Sequence, residues 1–103
     1  MPNNLSMTPR ESLLLGYDFT AQLASGETIV TNNANGTTEV TALDDYGEAA
    51  TNLVESGSVA IYGNVLQCRV ENPAANTDYT VRFIAATSAD NVLEESLSIS
   101  AGS

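Results

Sequence analysis

The chain has 103 residues, with 13 acidic side chains against three basic ones and a formal charge of −10. That length suits one domain with one core and is too short for a two-lobed enzyme. Phosphate backbones and anionic membranes both call for clustered Lys and Arg, whereas the three basic residues, Arg10, Arg69 and Arg82, stand far apart, so neither nucleic acid nor membrane is an expected partner.

The first dozen residues, MPNNLSMTPRES, are polar and carry Pro2 and Pro9. They read as a flexible or extended N-terminal arm over 1–12, with Pro2, Asn3, Asn4 and Leu5 as candidates for contact with a neighbouring protein. The segment has no basic stretch followed by an apolar core, so it does not read as a signal peptide, and synthesis in the cytoplasm is expected. No run of about 18 apolar residues follows to cross a membrane. ESLLLGYDFTAQL sets Leu13, Leu15, Tyr17 and Phe19 in alternation, the period of a half-buried strand. GETIVT supplies a short strand at Ile29 and Val30, and TTEVTAL another with Val40 and Ala42 on one face. Gly47 to Glu55 reads as an irregular crossover, because Gly47 and Asn52 interrupt any helical face. SVAIYG places Val59 and Ile61 together, and VLQCRV does so for Leu66, Cys68 and Val70. The clearest pattern is DYTVRFIA, with Tyr79, Val81, Phe83 and Ala85 facing inward; LEESLSIS ends the chain with Leu93, Leu97 and Ile99 opposed to Ser96, Ser98 and Ser100.

The punctuation matches. Asn35-Gly36 and Gly63-Asn64 are pairs able to take the positive φ of tight hairpins, and Ser56-Gly57, the surroundings of Pro73, and Ala89-Asp90-Asn91 mark further turns. About seven short strands so separated describe an all-β, immunoglobulin-like antiparallel β-sandwich over 13–103. Tyr79 opens its strand after the loop NPAANTD, two positions before Val81, which is where a tyrosine corner pins a Greek-key crossover. Tyr79, Val81, Phe83, Cys68, Leu97 and Ile99 are therefore the expected structural residues.

Chemistry has little to build on. The chain lacks both histidine and lysine, so a nucleophilic serine has no base and the commonest zinc ligand is missing. Cys68 has no partner for a disulfide and reads as a small core residue. Glu94 and Glu95, adjacent in a strand, point to opposite faces and cannot share a proton. Asp44-Asp45 lies in the turn LDDYGE without the spacing of a calcium loop. Asn4-Leu5-Ser6 and Asn35-Gly36-Thr37 match the glycosylation sequon but have no secretory context. No enzyme, cofactor or metal is expected, and the acidic surface suits contact with other proteins.

The segments LLGYDFTAQLASGETI, LDDYGEAATNLVESGSVAIYGNVLQCRV and NTDYTVRFIAATSADNVLEESLSIS, in that order, resemble the small immunoglobulin-like virion proteins of tailed bacteriophages. The resemblance covers about Ser12 to Ser100, with ENPAANTDY in place of a glycine-rich approach to the tyrosine. It implies a non-enzymatic part of the virion, a fibre–tail adaptor or head–tail accessory protein, present in several symmetric copies and bound to tail, neck, fibre or capsid proteins. Related sandwiches decorate capsids, which is the alternative role. A carbohydrate-binding or adhesion module is a third reading; it needs an exposed aromatic platform, for which Tyr46 and Tyr62 are the candidates.

Overall fold

A computed structural model describes residues 4–102. It contains ten strands: β1 (Asn4–Met7), β2 (Ser12–Asp18), β3 (Ile29–Val30), β4 (Asn32–Asn33), β5 (Gly36–Thr37), β6 (Glu39–Leu43), β7 (Ala60–Tyr62), β8 (Val65–Glu71), β9 (Asp78–Thr87) and β10 (Val92–Ala101). One sheet runs β1-β10-β9 and continues with β3 and β6, both paired to β9; the second runs β2-β8-β7. Strands β2, β8 and β7 thus hold the places of strands B, E and D in an immunoglobulin-type sandwich, and β10, β9 and β6 those of G, F and C.

Alternation drives this arrangement. In β8 the inward Leu66, Cys68 and Val70 are wholly buried, and in β9 Val81, Phe83 and Ala85 are buried against them while Thr80, Arg82 and Ile84 are half-buried on the outer side. Tyr79, Cys68, Val81, Phe83 and Ile99 join one core cluster, with Leu97 packed half-buried at its margin. Tyr17 carries its ring between Phe19 and Phe83, at centroid distances of 4.8 and 6.2 Å, and so couples the two sheets.

Three features depart from the sequence reading. First, the N-terminal segment, expected as an arm, supplies β1 from Asn4 onward, paired in parallel to β10 through Leu5 with Ile99 and Met7 with Ala101. Met7 is 2 % exposed and belongs to the core of its own chain. Pro2 and Asn3 lie outside the described residues. The β1–β10 pairing also makes the sandwich other than purely antiparallel. Second, a small β4–β5 hairpin adds to the seven expected strands. Neither Asn35 nor Gly36 takes positive φ there. Instead the Asn33 Oδ1 accepts from the N–H groups of Asn35 and Gly36, at 2.8 and 3.0 Å, and turns the chain itself. Gly36 approaches the β9–β10 hairpin closely: a Cβ there would stand 3.0 Å from the Val92 Cγ2 and press on that side chain. Third, at the β7–β8 turn Gly63, with φ of 62°, takes the left-handed conformation without Asn64.

The Gly47–Glu55 segment contains no helix. It crosses between the sheets, bridging Leu43 to Ala49 and Val54 to Val70, and it buries Leu53 to 2 % exposure. The loop before β9 is held by the tyrosine corner: the Ala74 N–H donates to the Tyr79 hydroxyl at 2.8 Å. Asn72 and Asn76 in that loop have φ of 55° and 57°, conformations that asparagine tolerates. Tyr79→Phe should cost about 0.5–1.5 kcal/mol in urea unfolding, the worth of one hydrogen bond, with the unfolding slope unchanged.

The register of β2 defines its free side. The Phe19 N–H donates to the Asn64 carbonyl at 2.9 Å, one step beyond the Asp18–Val65 pair. Hydrogen-bonded pairs alternate in an antiparallel ladder, so Leu13, Leu15 and Tyr17 turn their backbone groups to β8. The N–H and C=O groups of Leu14, Gly16 and Asp18 therefore point away, where no strand pairs among the described residues. A constant-type immunoglobulin domain has strand A in that place; here the first strand lies on β10 instead.

Candidate functional site

The surfaces open to contact are the two ends of the sandwich and its outer faces. The molecule is elongated, 44 × 24 × 22 Å. Its end at the β9–β10 hairpin is tied together by polar side chains. Thr87, wholly buried, donates from its Oγ1 to the Glu27 Oε2, and the same hydroxyl accepts from the N–H groups of Ala89 and Asn91 at 3.3 and 3.2 Å. Glu27 also accepts from the Ala24 N–H at 2.9 Å and the Asn91 Nδ2 at 3.0 Å. From the β4–β5 hairpin, the Asn33 Nδ2 donates to the carbonyls of Thr87 and Asn91, at 3.0 and 2.9 Å, and the Asn35 Nδ2 to that of Asp90 at 2.8 Å. Three loops are thereby fixed as one rigid end. Sequence periodicity could not show this, because the partners lie more than fifty residues apart.

The Thr87 hydroxyl, then the Ala24 N–H and the Asn91 amide, hold the Glu27 carboxyl below its ordinary pKa. A depressed folded pKa gives stability that is present above the unfolded glutamate value, roughly 4.3, and is lost as pH falls through the folded value. Melting temperature should therefore fall with acidification in that window, and Glu27→Gln should flatten the fall. An unchanged profile in the variant would contradict the assignment. Asp18, lowered by the Thr20 hydroxyl and then by the Thr20 N–H, adds a contribution of the same sign.

At the opposite end, a cleft of about 530 Å³ is lined by Asp44, Asp45, Tyr46, Asn72, Asn76 and Tyr79, among others. Asp44 is a turn-builder: its Oδ1 accepts from the N–H groups of Tyr46 and Glu48, at 2.9 and 3.0 Å. Asp45 is exposed beside it. Tyr46 is 87 % exposed and Tyr62 62 % exposed, and they stand at opposite ends of β8. A seven-residue strand spans about 20 Å, so the two tyrosines do not form one aromatic platform.

The outer face of the larger sheet is rich in hydroxyls. Ser96, Ser98 and Ser100 of β10 run beside Arg82 and Thr80 of β9, and Thr41 of β6 accepts from the Arg82 Nε at 3.3 Å. Among the described residues, the one ion pair is Arg69 with Glu55, at 3.9 Å and half-exposed, and it contributes about 0–1 kcal/mol. Burial pushes the Cys68 thiol up to about 11, so it stays protonated and unreactive at neutral pH. Glu94 is exposed, while Glu95 shares the inner side of β10 with Leu93 and Leu97, half-buried and bonded to the Gln22 Nε2 at 3.0 Å. The alternation that placed the leucines inward places Glu95 with them, a consequence the leucine pattern alone did not bring out. No group of three or more His, Cys, Asp or Glu able to hold a metal occurs among the described residues. The arrangement offers rigid loops, flat faces and strand edges, the means of contact between proteins.

A family model described as podophage GP4 fibre-tail adaptor protein gp77 matches residues 7–100, from the last residue of β1 to the penultimate residue of β10. No curated protein and no solved structure matches the chain significantly.

Proposed function

The chain belongs to the podophage fibre-tail adaptor family, and from that premise we propose that it joins the tail of a phage particle to its fibres through protein–protein contacts, in several symmetric copies. The observation that carries this reading is the extent of the family match, which takes in β2 to β9 and nearly all of β10 rather than one motif. The residue inventory supports a role without chemistry: no histidine, no lysine, and a lone cysteine that burial keeps protonated. The architecture supports bridging. A 44 Å rod with a polar-locked loop cluster at one end and a cleft-bearing crossover at the other presents two separate surfaces to two neighbours. Its charge of −10 favours partners with basic patches and opposes non-specific clustering of free copies before assembly. The protein is made in the host cytoplasm and ends in the virion, where it touches neither nucleic acid nor membrane.

Particles assembled without this protein test the reading. Heads should fill and tails should form, while fibres should be missing from the purified particles. Fully fibred particles in its absence would overturn the adaptor role. Intact tails and fibres on heads that have become fragile would favour capsid decoration instead.

A further inference from the structure

The side of the sandwich at β2 is incompletely closed. On the inner rows of the central strands, Leu66, Cys68, Val70, Val81 and Ala85 are wholly buried. The inward Leu13, Leu15 and Tyr17 of β2 are only half-buried, as are Leu93 and Leu97 of β10 and Leu5 of β1. These residues lie towards the flank where β2 has no neighbour. The backbone groups of Leu14, Gly16 and Asp18 point the same way without strand partners among the described residues. The Gln22 Nε2 spans this flank, bonded to Glu95 at 3.0 Å and 3.4 Å from the Tyr17 hydroxyl. The flank is therefore an apolar strip with a regular row of backbone donors and acceptors along one border and a single half-buried carboxylate inside.

We infer that the free edge of β2 takes up an extended strand from a tail or fibre protein, one with alternating apolar side chains and a basic side chain where it passes Glu95. This rests on the adaptor reading and specifies its contact. The added strand would fill the place of strand A, satisfying the outward backbone groups by β-augmentation and covering the half-buried leucines. A neutral strand would bury the Glu95 charge with only the Gln22 amide to offset it, and an acidic one would be repelled. A second copy of this chain is the wrong occupant. Strand β2, SLLLGYD, carries no basic side chain to meet Glu95, and each copy carries −10.

Leu14→Pro tests the edge. The Leu14 N–H is outside the β8 ladder and its side chain is 57 % exposed, so a proline there is tolerated as on other edge strands. The variant should keep its melting temperature within a few degrees, yet its incorporation into particles should fall by about tenfold or more. Leu14→Thr, which restores the N–H, should be incorporated like the wild type. Glu95→Arg should fold and be incorporated poorly. If wild-type protein is absent from particles, the adaptor reading itself fails. If wild type is present and folded Leu14→Pro is incorporated equally, or Leu14→Thr is lost as fully as Leu14→Pro, the edge inference fails alone. Should Leu14→Pro not fold, amide exchange decides with unaltered protein: the outward N–H groups of Leu14, Gly16 and Asp18 should exchange fast in the isolated chain and slowly in particles. Equal exchange in both overturns the inference, as does protection already present in an isolated dimer.

Discussion

Phe83→Ala should lower the unfolding free energy by about 3–5 kcal/mol in urea or guanidinium titration, the range for emptying an aromatic site in a packed core. Phe83 is 1 % exposed, lies midway along β9, one of the two longest strands, and is flanked by Val40 of β6 and Glu95 of β10 in register. Its ring faces Tyr17 of the other sheet at 6.2 Å. The cavity would thus open between the sheets, where Ala85 is too short to fill it and the Val81 side chain is held by its own χ1 preference. A small domain has about 5–15 kcal/mol in all, so the loss is a large share of the total. Each kcal/mol lowers the melting temperature by about 4–8 °C in a domain of this size. A loss below about 1 kcal/mol would mean that the inner face of β9 has been wrongly assigned.

Phe19→Ala should cost about as much, again about 3–5 kcal/mol, for a related reason at the other sheet. Phe19 is wholly buried, just past the end of β2, with its ring 4.8 Å from that of Tyr17 and tilted by 57°. Its backbone is also a junction: its N–H donates to Asn64, and its carbonyl accepts from the N–H groups of Gln22 and Leu23 at 2.9 and 3.1 Å. Alanine keeps those backbone bonds and removes the ring, so the measured loss isolates packing. Both substitutions touch Tyr17, and a double variant should therefore lose less than the sum of the two singles, because the second removal finds part of the contact already gone. Strict additivity would indicate that the rings act independently and that Tyr17 does not link them.

Much of this architecture was legible in the sequence because alternation and turn residues act locally. Tyr79, Val81 and Phe83, and likewise Leu66, Cys68 and Val70, are placed by a period of two, and the structure buries each of them. The loop between Pro73 and Tyr79 was readable for the same reason, since a tyrosine at that offset can reach its own loop. What escaped was set by distant parts of the chain. Asn4–Met7 is a short, half-polar stretch with a proline two residues beyond, and its strand exists because β10 offers Ser98 to Ala101 as a template. The Asn35-Gly36 pair promised a positive-φ turn, but the Asn33 side chain and the nearness of Val92 set the geometry. The lock around Thr87 joins Glu27, Asn33 and Asn91, which have no common pattern in sequence.

The functional surface shows the same division. The lack of histidine and lysine is a matter of counting, readable before any fold is known. The candidate contact surface, in contrast, consists of what is left unpaired when the strands have chosen their neighbours. Leu14 and Gly16 look like any strand residues until the Phe19–Asn64 bond fixes which way their N–H groups point. Glu95 looks like half of a solvated acidic pair until the register sets it on the inner side of β10 with Leu93 and Leu97.

As a bridge between tail and fibres, this sandwich should be a scarce part of the particle and not a coat. Its copy number, measured by quantitative mass spectrometry of purified virions against the major capsid protein, tests this most directly. A bridging part in a closed cyclic assembly should be present in a ring number, on the order of six to twelve per particle. A near-stoichiometric ratio to the capsid protein, on the order of hundreds of copies, would contradict the bridging role and point to capsid decoration.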